Sequence, residues 1–309
     1  MSHPPASSTT IDGLVRLLGS AEELAKLGPG LTISASVPAP AGGPAAPAGE
    51  IPGLAADGFA SLQRMVPAGT CAALAQAAAA LRAHDLPATL LYAFDEPWTI
   101  GEQLREHIGT MLGHPYLLVE DVWAWHVPPG SGGWPPHRGI RDVRLDRERP
   151  EILNVWIASS DVPADRACMH VVPLDEDPGY PGGLTSVDAP LASVRALPVS
   201  AGDALVWNAN ILHWGGRCAE RASGARVSCS FSLCRADAIE RFPALPRVPP
   251  LAVLDLDARM DALARMIRVY GEGQPDVSST VRAWANLTHE LAARFGRGSA
   301  ASAALRKAP

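Results

Sequence analysis

The chain has 309 residues, enough for one large domain or two small ones. A chain of this size buries roughly 75% of its unfolded surface, so neither a disulfide nor a metal is needed merely to fold it. Hydrophobic residues make up 47% and charged residues 19%, an ordinary soluble balance, and a net charge of −6 argues against a general nucleic-acid or anionic-membrane binder, which needs a cationic face.

Residues 1–10 read as frayed. Residues 11–28 read as helical: Ile11, Leu14, Leu17 and Leu18 have helical spacing, and Ser20-Ala-Glu-Glu23 has capping-box form. Residues 37–53 are rich in proline, glycine and alanine and read as a long loop. The expected organisation is therefore residues 1–53 as an N-terminal helix plus this loop, and residues 54–309 as a single domain. An alanine-rich run over 67–84 predicts a helix, residues 88–94 a strand, and 97–113 a second helix closed by Gly113. The centre then changes character. Residues 116–127, 152–158, 167–173, 195–199, 204–208 and 225–234 are short, β-rich and bounded by Gly, Pro or Asp. Helix returns at 254–270 and 278–295. Strands following strands without intervening helices predict a mainly β fold with flanking helices, an antiparallel sandwich or jelly roll.

Lys26 and Lys307 are the only lysines, so 24 of the 26 basic residues are arginines. GC-rich coding explains such a bias, and so does a need for forked contacts to carboxylate or phosphate. Five cysteines with no CxxC spacing argue against a disulfide framework or a zinc ribbon. No apolar run reaches membrane-spanning length and no basic-then-apolar segment opens the chain, so a cytoplasmic location without membrane association is expected.

Nine histidines are present. His84, His107, His114 and His289 fall in predicted helices or at their ends, and His126 and His170 on strands or strand edges, where packing or capping explains them. His137 and His213 differ. His137 follows the kinked run Gly132-Gly133-Trp134-Pro135-Pro136, and His213 ends a strand-and-turn run that begins at Gly202. Two neutral imidazoles at strand ends, brought together from distant strands, make a candidate iron, copper or nickel site. In residues 225–233 polar and apolar residues alternate strictly: Arg226, Ser228, Ser230 and Ser232 share one face, opposite Val227, Cys229, Phe231 and Leu233. That polar row lines a cavity or faces solvent.

The order Gly-Trp-Pro-Pro-His137, then Asn154-Val-Trp-Ile-Ala-Ser-Ser-Asp161, then Ala-Cys-Met-His-Val-Val-Pro173, then Gly202-Asp203 through His213 to Arg226-Val-Ser228 resembles the phytanoyl-CoA dioxygenase-like group over residues 116–236. These are Fe(II)- and 2-oxoglutarate-dependent oxygenases on a double-stranded β-helix, a cupin-like jelly roll. The resemblance implies Fe(II), 2-oxoglutarate and O2 as cofactors. It also implies His137 and His213 as metal ligands, with Arg226 and Ser228 binding 2-oxoglutarate.

One departure stands out. The family pattern is His-x-Asp, a carboxylate completing the facial triad, whereas this chain reads His137-Arg138-Gly139. The His-x-Gly form resembles that of the iron/2-oxoglutarate halogenases, nucleotide halogenases among them, in which chloride takes the carboxylate's place. By that resemblance Gly139 is the halide site, chloride joins the cofactors, and the expected activity is radical halogenation of a small molecule. The alternatives are a hydroxylase of the same class, a loop bulge that brings Asp142 to the metal, and a non-catalytic cupin-like binding module. For substrate, Arg138, Arg141, Arg144, Arg147 and Arg149 crowd the segment after His137, either as a solvated loop or as a lid over an anionic small molecule such as a nucleotide. Trp125, Asn154 and Trp156 are candidate pocket walls, while oligomeric state leaves no mark.

Overall fold

The computed structural model of the chain describes residues 10–40, 51–182 and 190–295. The readings of residues 1–9 and of 41–50 in the proline- and glycine-rich stretch lie outside them. The first helical stretch is two helices, α1 (Ile11–Leu18) and α2 (Ala21–Ala25). Gly19 ends α1, and the Ser20 hydroxyl restarts the chain by accepting the Glu23 N–H at 3.2 Å. There follow α3 (Leu54–Asp57), β1 (Phe59–Leu62), the alanine-rich α4 (Ala68–Ala83) and α5 (Asp95–Leu112). Gly113 closes α5 in the left-handed conformation, φ 69°, which glycine adopts without a Cβ penalty.

Between α4 and α5 the structure departs from expectation. Ala88–Ala93 is a 3-10 helix, not a strand, with every residue buried. A short apolar run wholly enclosed by protein carries no periodicity to separate the two states.

The strands are β2 (Tyr116–Val127), β3 (Ile152–Ala158), β4 (Met169–Val172), β5 (Arg195–Leu197), β6 (Ala204–Asn208), β7 (Leu212–Gly215) and β8 (Arg226–Arg235), followed by α6 (Leu256–Tyr270) and α7 (Ser279–Phe295). They form a five-stranded sheet in the order β1-β6-β3-β8-β2 and a three-stranded sheet in the order β5-β4-β7, antiparallel throughout. The expected mainly β jelly roll is therefore corrected. Helix outweighs strand among the described residues, and the two sheets stay open instead of closing into a barrel. The charged segment 138–150 contributes no strand, and helices precede and follow the strands among the described residues.

Alternation along the strands builds three layers. Leu153, Val155 and Ile157 of β3, Ala204 and Val206 of β6, and Val227, Cys229, Phe231 and Leu233 of β8 face the helices in one large core. The opposite faces, with Trp156, Ala158, Leu205 and Trp207, meet Met169 and Val171 of the small sheet in a second core. On the helical side Arg259 of α6 is fully buried. It donates to Asp95 Oδ1 at 2.7 Å and to the carbonyls of Ala93 and Ser34 at 2.7 and 2.8 Å. Asp95 in turn accepts the Ser34 N–H at 3.1 Å and the Thr32 hydroxyl at 3.0 Å, which ties the N-terminal segment onto α5 and α6. Among the described residues no helix is long and apolar enough to cross a membrane.

Candidate active site

A cleft of about 150 Å³ opens between the two sheets. His137 and His213 line it. They are 76 positions apart in sequence but directly opposite in space: each N–H donates to the other's carbonyl at 3.0 Å. Residues paired this way project their side chains from the same face of a sheet, and the two imidazole centroids stand 4.1 Å apart. Each Nδ1 lies against a carbonyl two residues back, Pro135 O at 2.8 Å and Ile211 O at 3.1 Å. A carbonyl can only accept, so Nδ1 carries the proton and Nε2 keeps its lone pair. Burial lowers the pKa of both rings, that of His213 well below the usual histidine range, with His137 beside it adding to the effect. Two neutral imidazoles with free Nε2 atoms are the form in which histidine binds a metal. Among the described residues no third His, Cys, Asp or Glu joins them in a cluster.

Arg226 begins β8 and also lines the cleft. It is 1% exposed and, among the described residues, ion-pairs with no carboxylate. Its Nη1 donates to Ala167 O at 2.8 Å, its Nε has no acceptor, and the guanidinium lies 5.9 and 5.7 Å from the Trp125 and Trp156 ring centroids. Burial pushes its pKa down to about 10. The indole N–H groups of Trp125, Trp156 and Trp207, all lining the cleft, are likewise buried without acceptors. Buried donors are rarely left unmatched, and four of them around one cleft define a seat for an acidic ligand. Ser228 is buried with its hydroxyl unpartnered, in register with Trp125 and Ala158, though it does not line the cleft.

Gly139 lies beside the histidines. A Cβ placed there would stand 2.6 Å from Asn154 Oδ1 and 3.3 Å from Ala209 O, so a side chain at this position would require the Asn154 amide to move. Asn154 Oδ1 is itself buried without a donor. Its Nδ2 donates to Ser232 Oγ at 2.6 Å, and Ser232 donates onward to Asp121 Oδ2 at 2.5 Å. Tyr270, at the end of α6, donates to Asp121 Oδ1 at 2.6 Å. Asp121 and Tyr270 are cleft residues that sequence reasoning missed; Trp123, Trp134 and Trp207 line the cleft as well. A signal existed for part of this set: Asp121, Trp123 and Trp125 alternate along β2, whereas Tyr270 is 149 positions away.

The remaining candidates separate. Trp125, Asn154, Trp156 and Arg138 line the cleft; Arg141 is exposed and does not. Arg138 ion-pairs with Asp177 at 2.6 Å, the two side chains 1% and 2% exposed, and donates to Asn210 O and Gly182 O. One of its nitrogens, Nη2, remains buried without an acceptor. Asp142 is exposed with its backbone in the left-handed region, φ 61°, and does not line the cleft. In the arginine-rich segment Arg147 pairs with Asp175, Arg144 stacks on Tyr180, and Leu145 is buried. Trp214 stacks on His170 instead of facing the cleft.

Residues 118–219 match the model of a family described as Phytanoyl-CoA dioxygenase (PhyH), a span that includes both histidines and Gly139. The matched span is about a third of the chain. Among solved structures the apo form of ThoJ, a non-heme monooxygenase, has a TM-score of 0.50 at 16% identity, with 75% of this chain and 99% of that one covered. AviO1 from Streptomyces viridochromogenes Tue57 follows at 0.46 and 20%, covering 65% and 96%. The non-heme alpha ketoglutarate dependent epimerase SnoN from nogalamycin biosynthesis stands at 0.44 and 20%, covering 59% and 80%. At these identities the ThoJ likeness is one of fold alone. No curated protein matches the chain.

Proposed function

We propose that the chain is an Fe(II)/2-oxoglutarate-dependent oxygenase of a small molecule. The observation that carries this reading is Arg226, a buried guanidinium without an acid partner in the same cleft as two neutral imidazoles with free Nε2 atoms. His137 and His213 would hold the iron, which together with 2-oxoglutarate supplies the activation of O2. The chain's own part is positioning. Arg226 forks onto the far carboxylate of 2-oxoglutarate, and the Trp125 and Trp156 rings keep water from that contact. The His213–His137 ladder would hold the two ligands at a set position relative to that arginine.

Hydroxylation is the primary reading. In it the substrate C–H becomes C–OH while 2-oxoglutarate is oxidised to succinate and CO2, with one atom of O2 passing to each product. Halogenation is the second reading, favoured by Gly139, which offers no carboxylate beside His137. Asp121, the one acidic residue lining the cleft among the described residues, is held by Ser232 and Tyr270. In that reading chloride is a further cofactor.

The test is anaerobic loading with Fe(II) and 2-oxoglutarate, then O2, with succinate and substrate products followed by mass spectrometry with and without chloride. Succinate formation that needs Fe(II) supports the oxygenase, and its absence overturns it. A chlorine isotope pattern in the product selects halogenation, and an added oxygen regardless of chloride selects hydroxylation.

A further inference from the structure

A second part of the cleft, reached from Arg226 across Trp125, has the opposite chemistry. Trp123, Trp134 and Tyr270 stand mutually edge to face, with centroids 5.8 to 6.2 Å apart and planes at 74° to 83°. Trp125 closes onto Trp134 at 6.3 Å and 86°. All four rings line the cleft, and Asp121 stands among them. Rings set nearly perpendicular to one another wall a space on several sides instead of stacking to fill it. Their π faces carry negative potential, which attracts a cation without demanding that it shed its charge into hydrocarbon.

Asp121 sharpens this. Both of its oxygens accept hydrogen bonds from uncharged hydroxyls, Ser232 at 2.5 Å and Tyr270 at 2.6 Å, and no arginine, lysine or histidine among the described residues ion-pairs with it. Asp95 pairs with Arg259 and Asp177 with Arg138, whereas half-buried Asp121 has no such partner among the described residues. Two hydroxyl donors orient this carboxylate but leave its charge unmatched. Placed in an aromatic box, it calls for a cation from outside the chain.

The geometry points to a substrate that carries an ammonium group, bound with its cationic centre between Asp121 and the Trp123–Trp134–Tyr270 walls. The cleft is thereby polarised, taking a carboxylate at Arg226 and an ammonium at Asp121, with the histidine pair lining the same space. The assignment rests on the proposed oxygenase reading for calling this ligand the substrate; the cation preference itself stands on Asp121 and the rings.

The test uses the full chain and intrinsic tryptophan fluorescence, with choline and its uncharged isostere 3,3-dimethylbutan-1-ol as probes at constant ionic strength. Choline is expected to bind at least about tenfold more tightly, and Asp121→Asn to reduce that preference to about threefold or less. Equal affinity for the two probes, or an undiminished preference in Asp121→Asn, overturns the assignment. If circular dichroism shows that Asp121→Asn does not fold, Trp134→Leu replaces it. That variant is expected to weaken choline at least about threefold relative to the alcohol, and an unchanged ratio overturns the assignment. Succinate formation is scored separately. A cation preference without succinate supports this site and overturns the oxygenase reading, whereas succinate without a cation preference does the reverse.

Discussion

Arg226 and Arg259 are the same residue type, each almost wholly removed from water, in opposite electrostatic states. Arg259 sits in the helical layer against Asp95 and three backbone carbonyls, so its charge and hydrogen-bonding capacity are met within the fold. Arg226 sits between the sheets with two indoles, one carbonyl and a thioether, and no anion. Burying an unpaired charge opposes folding, whereas removing one partner of a buried pair destabilises strongly. The difference teaches which buried arginine serves stability and which holds a place for something the chain does not supply.

Three substitutions break or sharpen that contrast. The largest effect is expected from Arg259→Met, which strands Asp95 in a dry environment; chemical denaturation should show a loss of about 3–5 kcal/mol. Arg226→Met should behave oppositely, costing less than about 2 kcal/mol in the same measurement while 2-oxoglutarate affinity falls about 10- to 100-fold, the effect of losing hydrogen bonds to a charged group. Thermal stabilisation by 2-oxoglutarate, expected for the parent chain by ligand linkage, should vanish with it. If Arg226→Met unfolds as readily as Arg259→Met, the contrast is wrong. The smallest effect is expected for Gly139→Asp. Its Cβ meets Asn154 Oδ1 at 2.6 Å, the end of a side chain that can turn away, so a loss of about 1 kcal/mol is expected. Adding Asn154→Ala should return part of that loss, a coupling that denaturation of the single and double variants measures. Strict additivity would show that Asn154 is not what excludes a side chain at position 139.

Much of the β region was legible in sequence. The ranges 116–127, 152–158 and 204–208 coincide with β2, β3 and β6, because alternation and flanking turn residues are local signals. β1 and β7 escaped notice. Each has four residues, and β7 reads Leu-His-Trp-Gly, too short for alternation to register. The jelly-roll expectation failed for a related reason: strand content can be read from sequence, but closure depends on pairing between distant segments, which leaves no local trace.

The site divides along the same line. The alternation of Arg226 with Ser228, Ser230 and Ser232 was visible, and it puts Arg226, Ser230 and Ser232 on the cleft. The commitment of Arg138 to Asp177 was not, because nothing in a run of arginines tells which one meets an acid 39 residues on. Nor was the Asp121–Tyr270 contact, which joins the middle of β2 to the end of α6.

The reciprocal amide bonds between His137 and His213 bear on the energetics of assembly. Two imidazoles carried on separate flexible loops would surrender their independent motion when an ion drew them together, and that loss would subtract from affinity. Here the main chain has already joined the two halves at 3.0 Å, and the carbonyls behind each ring hold its orientation. Were the two rings to take up an ion, little folding around it would be required, because the ladder has already set them side by side.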